Sequence, residues 1–129
     1  PNESEAEAIT GLPVRSIEDA ILAAHKLVEL GAGASVVTLG ASGVVYYKNG
    51  KTLLVPAHAP AKVIDTTGAG DAFNGGFAAA LAKGLSDEEA LVYGSATAGI
   101  SVTRMGTAPS MPVSSEVETF VSSFELKEL

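Results

Sequence analysis

The dipeptide Asn49-Gly50 stands between two five-residue runs, Val44 to Lys48 and Lys51 to Val55, both rich in β-branched and apolar residues. Both residues tolerate positive φ, the requirement of a two-residue type I′ turn, so the segment is predicted to fold as a tight β-hairpin. A fixed antiparallel pair at mid-chain demands further strands and a covering layer, because an isolated hairpin is barely stable in water. Ser35-Val36-Val37-Thr38-Leu39 reads as a third buried strand, closed by a turn at Gly40-Ala41-Ser42-Gly43. Helical patterns supply the cover. Glu3 to Thr10 is a short helix ended by Gly11 and Pro13. Ser16 caps a second helix, with Asp19 three residues on in a variant of the capping box and a stripe of Ile17, Ala20, Ile21, Ala24, Leu27 and Val28.

After Pro56 and Pro60 the run Lys62-Val63-Ile64 is read as a strand leading into Asp65-Thr66-Thr67-Gly68-Ala69-Gly70-Asp71. A helix from Ala72 to about Lys83, stopped by Gly84, follows it. Ser86 and Glu89 form a capping box for the next helix, in which Gly94, Ala96, Ala98 and Gly99 permit close packing; Gly106 to Pro112 breaks it. A final helix is expected after Ser115, with Val117, Phe120, Val121 and Phe124 on one face. Helices alternating with apolar strands imply a layered α/β domain with the sheet covered on both faces. In such folds ligands sit beyond strand ends, where the turn at 68–70 is placed.

That turn suits an anion. Two glycines bend the chain without a Cβ clash, the first N–H groups of the helix face outward, and a carboxylate, Asp71, stands at the lip. Gly50-Lys51-Thr52 ends like a Walker A loop, but Val45 occupies the place of its first glycine; the dinucleotide fingerprint fails because Phe73 occupies the place of its third. Two readings of Asp71 stand side by side, a general base or an acid complementing the helix macrodipole. Asp65 is equally a turn cap.

Length and composition bound the rest. The 129 residues suffice for one domain with a sizeable core, 47% of them being hydrophobic. A net charge of -7 with no basic stripe argues against a nucleic-acid partner. The absence of cysteine removes disulfides, thiolate metal sites and a cysteine nucleophile. Apolar stretches stop well short of a span of about 20 residues, so no membrane partner is expected and a cytoplasmic setting fits. His25 and His58 have no ligand-spaced partners and are read as surface or loop residues. Because the chain begins at Pro1, it is expected to be a piece of a longer protein.

The string Val63 to Gly75, VIDTTGAGDAFNG, resembles the C-terminal signature of the PfkB (ribokinase-like) carbohydrate kinases. Asn2-Glu3-Ser4-Glu5 is similar to the family's N-x-x-E segment, Thr38 to Gly43 to its nucleotide-contacting turn, and Val102 to Pro112 to the cation loop of its ribokinase branch. The resemblance covers this chain but only the C-terminal part of a three-layer α/β/α fold. It implies that residues 1–129 are the ATP-binding and catalytic-base part, without the sugar-binding half and lid.

The roles it implies are specific. Asp71 would be the base acting on the sugar hydroxyl, with Gly68, Ala69 and Gly70 donating amides to the transferring phosphoryl. Asn2, Thr38, Leu39, Gly40, Ala41, Ser42 and Gly43 would contact the nucleotide, and Ser95 its adenine side. Potassium would be held by Asp65, the carbonyls of Thr67, Ser101, Arg104 and Gly106, and Ser110. Glu5, with Asn2, would organise magnesium through water, although a helix cap with an acidic first turn explains the same pair. The implied reaction is ATP-dependent phosphorylation of a sugar's primary hydroxyl, D-ribose favoured over fructose, ketodeoxygluconate or a nucleoside, by a full-length homodimer. The isolated segment is expected to be inactive.

Overall fold

The computed structural model describes residues 1–106 and 111–129, which form two compact units: residues 1–56 with 127–129, and residues 57–126.

In the first unit α1 (Glu3–Thr10) and α2 (Ile17–Glu29) accompany a four-stranded antiparallel sheet of β1 (Ser35–Thr38), β2 (Val44–Lys48), β3 (Lys51–Val55) and β4 (Lys127–Glu128), ordered β1-β2-β3-β4. The hairpin forms as its sequence dictates. Asn49 and Gly50 adopt φ of 50° and 79°, and Lys48 pairs with Lys51. Register then places Val37 opposite Val45 and Val45 opposite Leu54, a row of apolar side chains on one face. Ala6, Val14, Ala20, Ala23 and Ala24 complete that core, the alanines letting the helices approach the sheet closely. Val44, Tyr46, Leu53 and Val55 alternate with this row and are also buried. β4 extends the sheet by only two residues beside Leu53 and Leu54.

The helix caps follow the sequence closely. Asn2 and Glu5 exchange side-chain-to-backbone bonds of 2.9 Å at the start of α1. Ser16 accepts from the Asp19 amide, but the Asp19 carboxylate accepts from the Arg15 N–H rather than from Ser16. His25, expected at the surface, is half-buried, with its ring centroid 3.9 Å from that of Tyr47 and Nε2 3.3 Å from the Thr52 hydroxyl.

The second unit is helical: α3 (Ala69–Ala82), α4 (Asp87–Ser101) and α5 (Ser114–Val121). The small residues of α4 act as anticipated. A Cβ on Gly94 would meet the Phe73 backbone oxygen at 2.9 Å; one on Gly76 would strike Thr97, and one on Gly99 the His58 carbonyl. These contacts leave no space between α3 and α4. Ala80, Ala90, Tyr93, Ala96, Ile100, Val117 and Phe120 form the core, and His58 stacks on Phe120 with ring centroids 5.6 Å apart.

Three expectations are corrected here. Residues 62–64 are not a strand; they are exposed, and the amides of Ile64 and Asp65 both donate to the Val102 carbonyl at the end of α4. Val63 and Ile64, without a neighbouring strand, have no ladder to join. Helix α3 begins at Ala69 rather than Ala72, so Gly70 and Asp71 belong to its first turn. Helix α5 begins at Ser114 with Val113 at its cap, so Ser115 lies inside the helix. No helix among the described residues is long and apolar enough to cross a membrane.

Candidate functional site

In the second unit the glycine turn is a helix start. Gly68 occupies the N-cap at φ 78°, the left-handed conformation that glycine adopts without steric cost, and it reverses the chain into α3. Gly70 has no positive φ, and a Cβ built there meets nothing within 4 Å. The two glycines therefore have different reasons to be present: the first is required by the fold, the second is not.

Among the described residues the amides of Gly68, Gly70 and Asp71 have no protein acceptor, and no side chain caps the helix. Ala69, expected beside them as a donor, instead gives its N–H to the Thr66 carbonyl at 3.2 Å. The available donors are thus Gly68, Gly70 and the amide of Asp71 itself. The Asp71 side chain is exposed in the first turn of α3.

Asp65 fastens this turn to the end of α4. Its Oδ1 accepts from the Thr67 amide at 2.9 Å and its Oδ2 from the Gly106 amide at 3.0 Å. The Thr67 side chain, then the amides of Gly106 and Thr67, hold the carboxyl below its ordinary value. A lowered folded-state pKa gives a stabilising contribution present above the unfolded value of about 3.9 and lost as pH falls through the folded one. A carboxyl-carbon shift titration of Asp65 is expected to have its midpoint below that of the unfolded chain; coincident midpoints would mean the turn is open.

The residues expected around potassium gather here in part. The carbonyls of Thr67, Arg104 and Gly106 receive no hydrogen bond among the described residues, whereas Ser101 O accepts from the Arg104 amide at 3.2 Å. A carboxylate and unpartnered carbonyls, all oxygen, form a donor set that suits a hard cation. Ser110 lies outside the described residues. Ser95 is buried, at 7% exposure, with its hydroxyl unpartnered among the described residues.

The first unit carries the other expected residues. Thr38 donates its amide to the Pro1 carbonyl at 2.9 Å, and Leu39 and Gly43 close a short 3-10 turn through a 2.8 Å bond. Gly40, Ala41 and Ser42 project to solvent, and Gly43 is buried. Leu39 and Ser42 line a shallow cleft of about 100 Å³ with Glu3, Val14, Arg15 and Ser16. Asn2 and Glu5 spend one oxygen each on the capping box, so the helix cap alone explains their pairing. No group of three or more His, Cys, Asp or Glu that could hold a metal occurs among the described residues.

Sequence reasoning missed Glu116. Its Oε2 accepts from Arg104 Nη2 at 2.8 Å and from the Val113 amide at 3.3 Å. An acid at the third helical position was the available signal, but nothing local names Arg104 as its partner.

The family of pfkB carbohydrate kinases matches residues 1–114. The ribokinase of Haemophilus influenzae is 41% identical over 121 residues, covering 94% of this chain and 39% of that protein. Among solved structures, Arabidopsis thaliana ribokinase complexed with ribose and ATP superposes with a TM-score of 0.86 at 37% identity, covering 94% of this chain and 39% of that one. The phosphofructokinase-2 of Escherichia coli in complex with potassium gives 0.82 at 27%, covering 95% and 39%. The chain thus spans about two fifths of the length of the relatives it matches. From the match over residues 1–114 and the glycine turn that opens α3, the chain belongs to the pfkB family of carbohydrate kinases.

Proposed function

We propose that residues 1–129 are the ATP-binding and catalytic-base part of a sugar kinase that converts D-ribose to ribose 5-phosphate. The observation that carries this is the start of α3, where unpartnered amides of Gly68, Gly70 and Asp71 stand beside an exposed carboxylate. The Asp71 carboxylate takes the proton of the sugar's primary hydroxyl as its oxygen forms a bond to the γ-phosphorus of ATP. The bond from that phosphorus to the bridging oxygen breaks, and ADP leaves with the electron pair. The amides receive the charge spread over the transferring phosphoryl oxygens, so positioning and electrostatics supply most of the rate and no covalent enzyme intermediate is needed.

Thr38 to Gly43 would contact the nucleotide, and Asn2 and Glu5 would hold a magnesium ion through water, which would offset phosphate charge. Asp65 with the carbonyls of Thr67, Ser101, Arg104 and Gly106, and Ser110, would hold a potassium ion, which would stiffen the glycine turn. Support for ribose is the longer match to a ribokinase, 41% identity over 121 residues, beside 42% over 107 residues for a 1-phosphofructokinase.

The test is sugar-dependent ADP release by the complete kinase chain with ribose, fructose, ketodeoxygluconate and adenosine. Ribose is expected to give the highest kcat/KM, and preference for another acceptor would reassign the substrate. Residues 1–129 alone are expected to release no ADP in response to ribose. Turnover by this segment at a rate near that of the complete chain would overturn the assignment of the sugar contacts to another part of the fold.

A further inference from the structure

Arg104 and Glu116 join the two ends of the segment that contains residues 107–110. The guanidinium Nη2 lies 2.8 Å from Glu116 Oε2, both side chains are about one third exposed or slightly more, at 35% and 40%, and Glu116 sits in the first turn of α5. The same carboxylate oxygen accepts from the Val113 amide, so the helix start and the arginine share one anchor. Arg104 in turn belongs to a tight turn after α4, fixed by Thr103 N–H to Ile100 O at 3.0 Å and Arg104 N–H to Ser101 O at 3.2 Å. Two residues further, the Gly106 amide meets Asp65 Oδ2 at 3.0 Å, and the other Asp65 oxygen holds Thr67 at the mouth of the glycine turn. Hydrogen bonds joined by short stretches of backbone therefore lead from α5 through Glu116, Arg104, Gly106 and Asp65 to the start of α3.

We propose that the Arg104–Glu116 ion pair is a positioning device for the cation loop, setting the backbone of residues 101–106 so that its carbonyls and Asp65 present one ligand set. This rests on the potassium reading given above. A half-exposed ion pair adds little to global stability because solvent screens it. Its worth lies in orientation: the Arg104 carbonyl carries no hydrogen bond among the described residues, so the side chain is what ties that residue to a second helix. Partners one step removed from the ligands orient those that touch the ion, and losing such a partner costs about 10–100-fold in metal affinity at well-studied sites.

The experiment measures the half-saturating potassium concentration in the complete kinase chain by the potassium-dependent rise in melting temperature, with sodium as control. It compares the unaltered protein with Glu116→Gln, Arg104→Ala and Arg104→Lys. Glutamine keeps an oxygen for the Val113 amide while removing the charge, which separates the ion pair from the helix cap. For Glu116→Gln and Arg104→Ala the half-saturating concentration is expected to rise by about tenfold or more, with the melting temperature in sodium nearly unchanged; Arg104→Lys is expected to recover most of the loss. Potassium affinity within about twofold of the unaltered protein in both charge-removing variants would overturn the positioning role and leave the potassium reading intact. Equal melting of the unaltered protein in potassium and sodium would overturn the potassium reading, and this proposal with it.

Discussion

Asp71→Ala is expected to lower the kcat of the complete kinase by about 10²–10⁴-fold, the usual contribution of a positioned general base, while ATP affinity changes little. The side chain is exposed at the start of α3 and makes no hydrogen bond to the described residues, so its removal opens no cavity and strands no partner. What is lost is the acceptor for the hydroxyl proton and a favourable charge at the helix start, the latter worth only about 0.3–1 kcal/mol. Initial-rate kinetics and an independent measurement of nucleotide binding check this together. Weakened ATP binding with retained turnover would return Asp71 to the role of a helix-start acid.

Gly70→Ala is expected to move stability and activity in opposite directions. The position is helical, a Cβ meets nothing within 4 Å, and alanine is the better helix former, so stability should rise by about 0.5–1 kcal/mol. If the backbone here must approach a phosphoryl group closely, the added methyl occupies that approach and shields the amides; turnover should fall by about 10²–10³-fold, as when one oxyanion donor is lost. Thermal denaturation and kcat on one preparation read both effects. Gly68→Ala makes a contrast, since φ of 78° puts a strain of about 1–2 kcal/mol on any residue with a Cβ. Full activity in Gly70→Ala would mean the amides are not approached.

Much of this was legible in the sequence because its determinants are local. Asn49-Gly50 fixes its hairpin within four residues, and Asn2/Glu5 and Ser86/Glu89 fix their caps within three. The glycines in α4 were recognisable as contact points because small side chains in a helix have few other uses. The illegible parts depend on partners far along the chain. Residues 62–64 carry a strand's composition but find no ladder, and their amides go to Val102 instead. Gly70 reads as a turn residue although the backbone there is helical, because composition cannot separate a glycine needed for φ from one needed for a ligand. Glu116 belongs to an arrangement that only the folded chain assembles, twelve residues from Arg104.

The glycine contacts between α3 and α4 bear on how this scaffold can be altered. With Gly94 against Phe73 and Gly76 against Thr97, the shaft that ends in Asp71 can neither slide nor roll without a collision. Attempts to retune such a kinase toward bulkier acceptors will therefore gain little from loosening this seam. Adaptation is expected to come from whatever surrounds the acceptor, with the proposed base and its amides carried along as an unchanging fixture.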